Sequence, residues 1–222
     1  WDTTGLAGSY ALRAVLADGA GNTTASTITI RVDNAAPTGT VAIDAGAAVA
    51  RNPAVTLALS AVDPAPGSGV RQMRFTNGGA TTWSAWEPVA TTKAWSLAAG
   101  DGAKTVAVQV KDAAGNVATF RDGIRLDTVK PSGTVTIDQG ATTTASRAVT
   151  LTLTATDPTP GSGVAAMRIR NAGGTWSAWQ PVATSAPWTL TAGAGGKRVD
   201  VQVRDKAGNV SAVASDSITF EP

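Results

Sequence analysis

The chain contains no cysteine and no histidine, and its 222 residues include only one tyrosine and three phenylalanines. Without cysteine there is no disulfide framework, no thiolate metal site and no thiol nucleophile. Without histidine the commonest general base is missing, and a Ser-His-Asp triad is excluded. No nucleophile–base pair or carboxylate dyad stands out among the remaining residues, so we expect a protein that is not an enzyme.

Charge is also scarce, because charged residues make up 15% of the chain and the net charge is +2. The sequence pI of 9.2 reflects the lack of groups that titrate near neutral pH rather than a basic surface. No clustered basic stripe is present, so nucleic acid is not an expected partner. No apolar run approaches the ~18 residues of a membrane span, and a signal-peptide pattern is missing at the N-terminus. We therefore expect any targeting segment to be removed or to lie upstream.

What the sequence has in abundance is internal repetition. The segment Pro-Thr-Gly-Thr-Val-Ala-Ile-Asp at 37–44 recurs, with two changes, 94 residues later at 131–138. Three shorter motifs recur at nearly the same spacing, namely Gly-Ser-Gly-Val (67–70 and 161–164), Trp-Ser-Ala-Trp (83–86 and 176–179) and Asp-x-Ala-Gly-Asn-Val (112–117 and 205–210). Asp18, Gly21 and Asn22 belong to the same series. The chain is therefore predicted to hold an incomplete C-terminal part of a repeat (1–36) and two full repeats (37–130 and 131–222).

Each repeat has the pattern of an all-β domain. Apolar residues alternate with polar or small ones, as at Val106, Val108 and Val110, which indicates strands with one buried face. The first full repeat is predicted to form seven strands, at 38–43, 54–62, 70–76, 82–87, 94–97, 104–111 and 119–126. No segment keeps a helical period, so almost no helix is expected. A period of about 94 residues with seven short strands is typical of a two-sheet sandwich.

These motifs, together with the linker Asp-x-x-x-Pro-(Thr/Ser)-Gly-Thr-Val, resemble bacterial immunoglobulin-like repeats, whose architecture is similar to fibronectin type III and cadherin modules. The resemblance covers the whole chain and implies tandem Ig-like β-sandwiches, two complete and one partial at the N-terminus. It also implies an extracellular or cell-surface location, because such repeats form stalks of secreted, anchored or adhesive bacterial proteins and parts of some phage structures. It is specific for fold and says less about function.

Clustered aspartates are the first candidate site. An Ig-type sandwich brings the end of one repeat towards two loops of the next, so three carboxylates are expected to meet at each junction. The two sets are Asp33, Asp63 and Asp112, and then Asp127, Asp157 and Asp205. Calcium would relieve their repulsion, as it does in cadherin-like modules. The alternative is local turn chemistry, in which Asp and Asn side chains accept hydrogen bonds from their own loops.

Paired tryptophans are the second candidate site. Trp83 with Trp86, and Trp176 with Trp179, form a possible sugar-stacking surface, since residues three apart in a strand point to opposite faces and one ring of each pair would be exposed. The recurrence of the same rings in both repeats favours a packing role instead. An internal isopeptide bond through Lys104 or Lys197 is disfavoured, because Glu87 in the first repeat becomes Gln180 in the second.

The incomplete repeat bears on assembly. A segment of 36 residues without disulfides does not hold a core alone, so its missing strands are expected from upstream sequence or from another chain. We interpret the whole as a non-enzymatic spacer or building block of an extracellular stalk, adhesin or surface filament. Neighbouring Ig-like repeats, or other copies of the chain, would be its partners. The alternatives are a carbohydrate-binding or adhesive module that contacts surface glycans, and a phage fibre or decoration protein.

Overall fold

The computed structural model describes residues 1–78 and 81–222, and within them the protein is 56% strand and 3% helix. The first half contains ten strands, β1(Gly8–Ala17), β2(Thr23–Val32), β3(Thr38–Ile43), β4(Val49–Ala50), β5(Ala54–Val62), β6(Val70–Asn77), β7(Glu87–Pro88), β8(Thr92–Ser96), β9(Gly102–Asp112) and β10(Val117–Leu126). The second half contains eight, β11(Ser132–Ile137), β12(Thr143–Thr144), β13(Ala148–Thr156), β14(Val164–Asn171), β15(Gln180–Pro181), β16(Ser185–Thr189), β17(Gly195–Asp205) and β18(Ala214–Phe220). The all-β expectation is confirmed.

The described residues form two compact units. The first comprises Trp1–Ala47, Ala54–Leu97 and Lys104–Gly123, and the second comprises Ala48–Pro53, Ala98–Ala103 and Ile124–Pro222. The division passes through the first full repeat instead of following the 94-residue period. The boundaries expected from the repeats, at 36/37 and 130/131, remain predictions.

Strand order in the second full repeat is that of an Ig-like sandwich. One sheet has the order β11-β13-β16, and the other has the order β12-β18-β17-β14-β15. Val135, Leu151 and Leu190 from one side meet Ile169 and Val201 from the other in a single buried cluster. Period-two alternation explains this core, because every second side chain of β13 and β17 points between the sheets.

The first full repeat has the same topology, with sheets β3-β5-β8 and β4-β10-β9-β6-β7. Six of its seven predicted strands are confirmed to within two residues. The exception is 82–87, where only Glu87 and Pro88 are in a strand. The preceding residues 82–86 follow an irregular path that is tied to β6 by hydrogen bonds from Ser84 N to Phe75 O (2.8 Å) and from Phe75 N to Ser84 Oγ (2.9 Å).

Residues 1–36 form the β1–β2 hairpin, paired from Gly8 with Val32 to Ala17 with Thr23. Among the described residues no other strand pairs with this two-stranded sheet. Leu16 is 71% exposed, whereas Val110, which lies 94 residues later in β9, is 2% exposed. The hairpin therefore exposes an apolar side chain at a position whose equivalent in the first full repeat is buried.

Candidate metal centres and tryptophan clusters

Both predicted aspartate sets are brought together as compact triads. In the first, Asp33 follows β2, Asp63 follows β5 and Asp112 ends β9, and one carboxylate oxygen of each lies within 4.8 Å of the others. The second triad forms in the same way where β10, β13 and β17 end. In each triad the three aspartates lie at, or directly after, the C-terminal ends of three strands. Residues far apart in sequence converge because these strand ends lie close together.

The second triad shows how these carboxylates are held. Asp205 Oδ1 accepts the Asn209 amide N–H at 2.8 Å, and its Oδ2 accepts the Asn209 side-chain amide at 2.8 Å. Asp127 Oδ2 accepts the Ser162 amide N–H at 2.7 Å. Asp127 and Asp205 are fully buried, while Asp157 is half-buried. The local turn chemistry expected for the Asp-x-Ala-Gly-Asn hairpin is confirmed, since Asp112 bonds Asn116 in the same pattern.

Asp63 and Asp157 each carry an oxygen without a partner. Their Oδ2 atoms accept the Gly69 and Gly163 amides at 2.5 Å, but both Oδ1 atoms are buried and make no hydrogen bond. A carboxylate oxygen buried in this way loses hydration without compensation, which is costly. Each triad therefore offers one free acceptor close to two further carboxylates.

Gly67 and Gly161 leave the space that these two carboxylates occupy. A Cβ built on Gly67 would lie 2.4 Å from Asp63 Cγ, and one built on Gly161 would lie 2.5 Å from Asp157 Oδ2. Real Cβ atoms do not approach other heavy atoms this closely, so the carboxylate occupies space that any larger residue would need. This explains why the Gly-Ser-Gly-Val motif recurs next to the aspartates.

Electrostatics differ between members of the triads. Burial raises the pKa of Asp157; the Gly163 N–H opposes this rise, and the negative charges of Asp127 and Asp205 add to it. In contrast, hydrogen bonding to Ser68 lowers the pKa of Asp33. The surroundings of Asp157 thus disfavour its ionised form, and a cation beside it would favour that form.

Arginine at the preceding strand end was missed by the sequence reasoning. Arg31 Nη2 donates to Pro66 O at 2.8 Å, and Arg125 Nη1 donates to Pro160 O at 2.6 Å. The signal was available, because Arg stands two residues before the junction aspartate in both Arg31-Val32-Asp33 and Arg125-Leu126-Asp127.

Each tryptophan pair is linked to basic side chains. In the first full repeat Arg74 Cζ lies 5.2 Å from the Trp83 ring centre and 4.5 Å from that of Trp86, and Lys111 Nζ lies 4.3 Å from the latter. These distances are within the range of cation–π contacts. All four tryptophan rings of the two pairs are half-buried.

The second full repeat extends the arrangement. Arg168 Cζ lies 4.7 Å from the ring centres of both Trp176 and Trp179, Arg170 lies 4.3 Å from the first ring and Arg204 lies 4.7 Å from the second. We call these rows of alternating rings and cations the tryptophan–arginine ladders. A third tryptophan recurs at 95 and 188. It is not part of the ladders, since Trp188 Nε1 donates to Asn171 Oδ1 at 3.0 Å.

The expectation that the two rings of a pair face opposite ways is wrong. Trp83 and Trp86 contact the same guanidinium group, as do Trp176 and Trp179. The physical reason is that residues 82–86 and the equivalent 175–179 are not in strands, so the alternation of a pleated strand does not apply. The sugar-stacking role of these rings stays a hypothesis.

Comparison with known proteins gives matches among solved structures. The chain is similar to fibronectin(III)-like modules of CbhA from Clostridium thermocellum, at 18% identity over 82% of this chain and 94% of that chain, with a TM-score of 0.48. It is also similar to a tetra-tandem repeat in the extending region of a large adhesion protein (22% identity, 99% of this chain and 58% of that chain, TM-score 0.33). A third match is a 1.5-MDa bacterial ice-binding adhesin (19% identity, 96% and 73%, TM-score 0.46). No family model and no curated protein matches.

Within residues 1–78 and 81–222, no helix has the length and apolar character needed to cross a membrane.

Proposed function

We propose that the chain is a non-enzymatic structural segment of a bacterial extracellular stalk, adhesin or surface filament, in which Ig-like repeats act as spacers. The observation that supports this proposal is a set of hydrogen bonds across the predicted repeat boundary at 130/131. Side chains at the end of one repeat bond the loops of the next, both at Asp127 with Ser162 and at Arg125 with Pro160. A spacer needs limited bending between its repeats, and hydrogen bonds between neighbouring repeats would contribute to that.

Calcium is the second part of the proposal. Asp127, Asp157 and Asp205 would hold one ion, and Asp33, Asp63 and Asp112 would hold another. The residues fit this group, because each triad supplies three carboxylates and one buried oxygen without a hydrogen bond. Calcium prefers oxygen ligands and would neutralise the mutual repulsion of the carboxylates. The chain's own residues would then bind the ion at the junction and hold the loops of the second repeat against the end of the first.

Thermal unfolding tests the calcium site. We expect Tm to rise in millimolar CaCl2 relative to excess EGTA, because an ion that binds only the folded state stabilises it, by about 2.7 kcal/mol at a hundredfold excess over Kd. Asp157→Asn should remove the response of the second triad, and Asp63→Asn together with it should remove the rest.

The matched control is Asp138→Asn, an aspartate outside the triads whose Oδ1 accepts the Thr150 N–H at 2.7 Å. It should alter the baseline Tm and leave the calcium response intact. Equal Tm values for the wild-type chain in calcium and in EGTA would contradict the calcium site and leave the spacer role standing.

Location tests the spacer role. Antibodies raised against residues 131–222 should label intact cells, or surface structures released from them, in immunogold electron microscopy of the source organism. Labelling should extend away from the cell envelope if the repeats are part of a stalk or filament. A signal confined to the cell interior would refute the extracellular role.

A carbohydrate-binding role has less support. Stacking with a sugar needs an open ring face, but guanidinium and ammonium groups already lie over the rings of Trp86, Trp176 and Trp179. The ladders therefore favour a packing role for these residues. Tryptophan fluorescence that does not respond to a panel of soluble glycans is the expected result.

A further inference from the structure

The two junctions use the same strand-end signature. Arg31 and Arg125 each stand two residues before the buried junction aspartate, and each guanidinium group donates to two successive carbonyls of the following loop. Arg31 reaches Pro66 O, at 3.1 Å from Nε and 2.8 Å from Nη2, and also Gly67 O. Arg125 Nη1 reaches Pro160 O at 2.6 Å and Gly161 O at 3.2 Å. A planar guanidinium group suits such paired acceptors better than an ammonium group does.

A different part of the same loop donates a hydrogen bond to the aspartate of the signature. Asp33 Oδ2 accepts the Ser68 N–H at 2.6 Å, as Asp127 Oδ2 accepts that of Ser162. The main-chain carbonyl of each aspartate also accepts a hydrogen bond. Asn116 Nδ2 donates to Asp33 O at 3.0 Å, and Asn209 Nδ2 donates to Asp127 O at 2.9 Å. Acceptors thus face the arginine, and donors face the aspartate.

Other hydrogen bonds connect the receiving loop to the hairpin of its own repeat. Ala207 N donates to Ser162 Oγ at 3.1 Å, and Lys206 N donates to Gly163 O at 2.9 Å, so the loop and the Asp-x-Ala-Gly-Asn hairpin form one surface. The first full repeat has the same bonds, from Ala114 N to Ser68 Oγ and from Ala113 N to Gly69 O. We call this surface, made by residues 64–69 with 112–116 and by 158–163 with 205–209, the receiving pole.

We propose that the receiving pole is a docking surface that selects a preceding repeat whose last strand ends in Arg-x-Asp, so that two side chains encode which repeats can stand next to each other. The inference rests on the proposed spacer function and names the partner that each junction accepts. The contacts named above are hydrogen bonds between protein atoms, and the test below measures them in EGTA, apart from any contribution of calcium.

The second full repeat supplies a natural counterexample. Strand β12 pairs with β18 as β4 pairs with β10, which places Thr219 at the position of Arg125 and Glu221 at that of Asp127. Threonine is too short to bond two carbonyls across a junction, and glutamate carries its carboxylate one methylene further out. The end of this repeat lacks the signature and should not fit a receiving pole of the type seen here.

The test gives the junction at Arg125 and Asp127 the residues that stand at the end of the second full repeat. In the full chain, Arg125→Thr combined with Asp127→Glu reproduces the end of the second repeat, and amide hydrogen exchange is measured by NMR in EGTA. We expect the Ser162 amide to exchange about twofold to tenfold faster, the range that the loss of one hydrogen bond predicts. The Ser68 amide at the other junction should keep its rate, as should the Val201 amide in the core strand β17.

A matched control and a conservative variant complete the design. Arg121→Thr removes an exposed arginine from the same strand and should leave Ser162 unchanged. Arg125→Lys keeps the charge and should give an intermediate rate, because a tetrahedral ammonium group replaces the planar guanidinium nitrogen that donates to both Pro160 O and Gly161 O. Wild-type protection of Ser162 in the double variant would overturn the proposal, and so would an equal acceleration of Ser162 and Val201, which would show general destabilisation. Neither result depends on calcium binding or on cell-surface labelling, so a failure of the proposed function would be seen separately.

Discussion

The two full repeats have the same strand topology but differ at a buried cross-strand position. In the first, Thr76 of β6 lies opposite Ala107 of β9; in the second, Arg170 of β14 lies opposite Asp200 of β17. Ala107 and Asp200 are both completely buried. A methyl group in one repeat is therefore replaced by a charged carboxylate in the other without a change of strand register.

Partners make this exchange tolerable. Asp200 accepts hydrogen bonds from Arg170 Nε at 2.9 Å, Arg198 Nε at 3.0 Å and Ser215 Oγ at 2.8 Å. Burial by itself raises the pKa of Asp200, but these donors outweigh burial and leave the pKa below its usual value. In the first repeat Thr76 stands at the position of Arg170 and Thr105 at that of Arg198, and Thr76 Oγ1 donates to Thr82 O. The difference teaches that the carboxylate of Asp200 is tolerated in the sheet because three neighbouring side chains of the same repeat donate to it.

The largest expected effect comes from placing the charge without its partners. Ala107→Asp should destabilise the first full repeat by about 3–5 kcal/mol, because the buried carboxylate would have threonines at the positions of the two arginines that bond Asp200. Urea unfolding followed by NMR signals of each repeat would measure this. Adding Thr76→Arg should recover part of the loss. A variant as stable as wild type would contradict the predicted cost of an uncompensated charge at this position.

The second-largest expected effect is a difference between the two repeats in how their stability falls with acid. The lowered pKa of Asp200 means that its stabilisation is present above the unfolded-state pKa of about 3.9 and is lost as pH falls through the lower folded-state pKa. Asp200→Asn should cost about 1–3 kcal/mol at neutral pH, because two arginines lose a charged acceptor. It should also flatten the decline of the second repeat's stability below about pH 4. An unchanged acid profile in the variant would show that other carboxylates cause the decline.

The ladders should give the smallest difference. Arg74→Met and Arg168→Met keep much of the side-chain volume but remove the cation, with a cost of about 1 kcal/mol each. Arg168 should cost more, because its Nε and Nη2 both donate to Gln202 Oε1, whereas only Arg74 Nε donates to Gln109 Oε1. The same repeat-resolved urea titration measures both variants. Equal costs would mean that the second hydrogen bond from Arg168 to Gln202 adds no net stability, because water replaces it.

Some parts of the site were predictable from local sequence and others were not. The strands follow from alternation, and the two triads follow from the order of strand ends in a known topology. The Trp-Ser-Ala-Trp segment was predicted as a strand, but its backbone bonds through Ser84 to β6 and leaves the pleat, so the face of each ring was wrong. Arg125 and Asp200 were missed because their roles depend on residues 35 and 30 positions away, such as Pro160 and Arg170.

By itself, the sequence determined the repeat period, the all-β class and the residues that line the core, because alternation and turn residues act over a few neighbouring positions. Tertiary structure alone decided which carboxylate oxygen is left without a partner, which guanidinium group spans a junction and which buried position carries a charge. Those outcomes depend on distances between atoms of separate strands, set by the packing of the whole sandwich, and no local pattern records them.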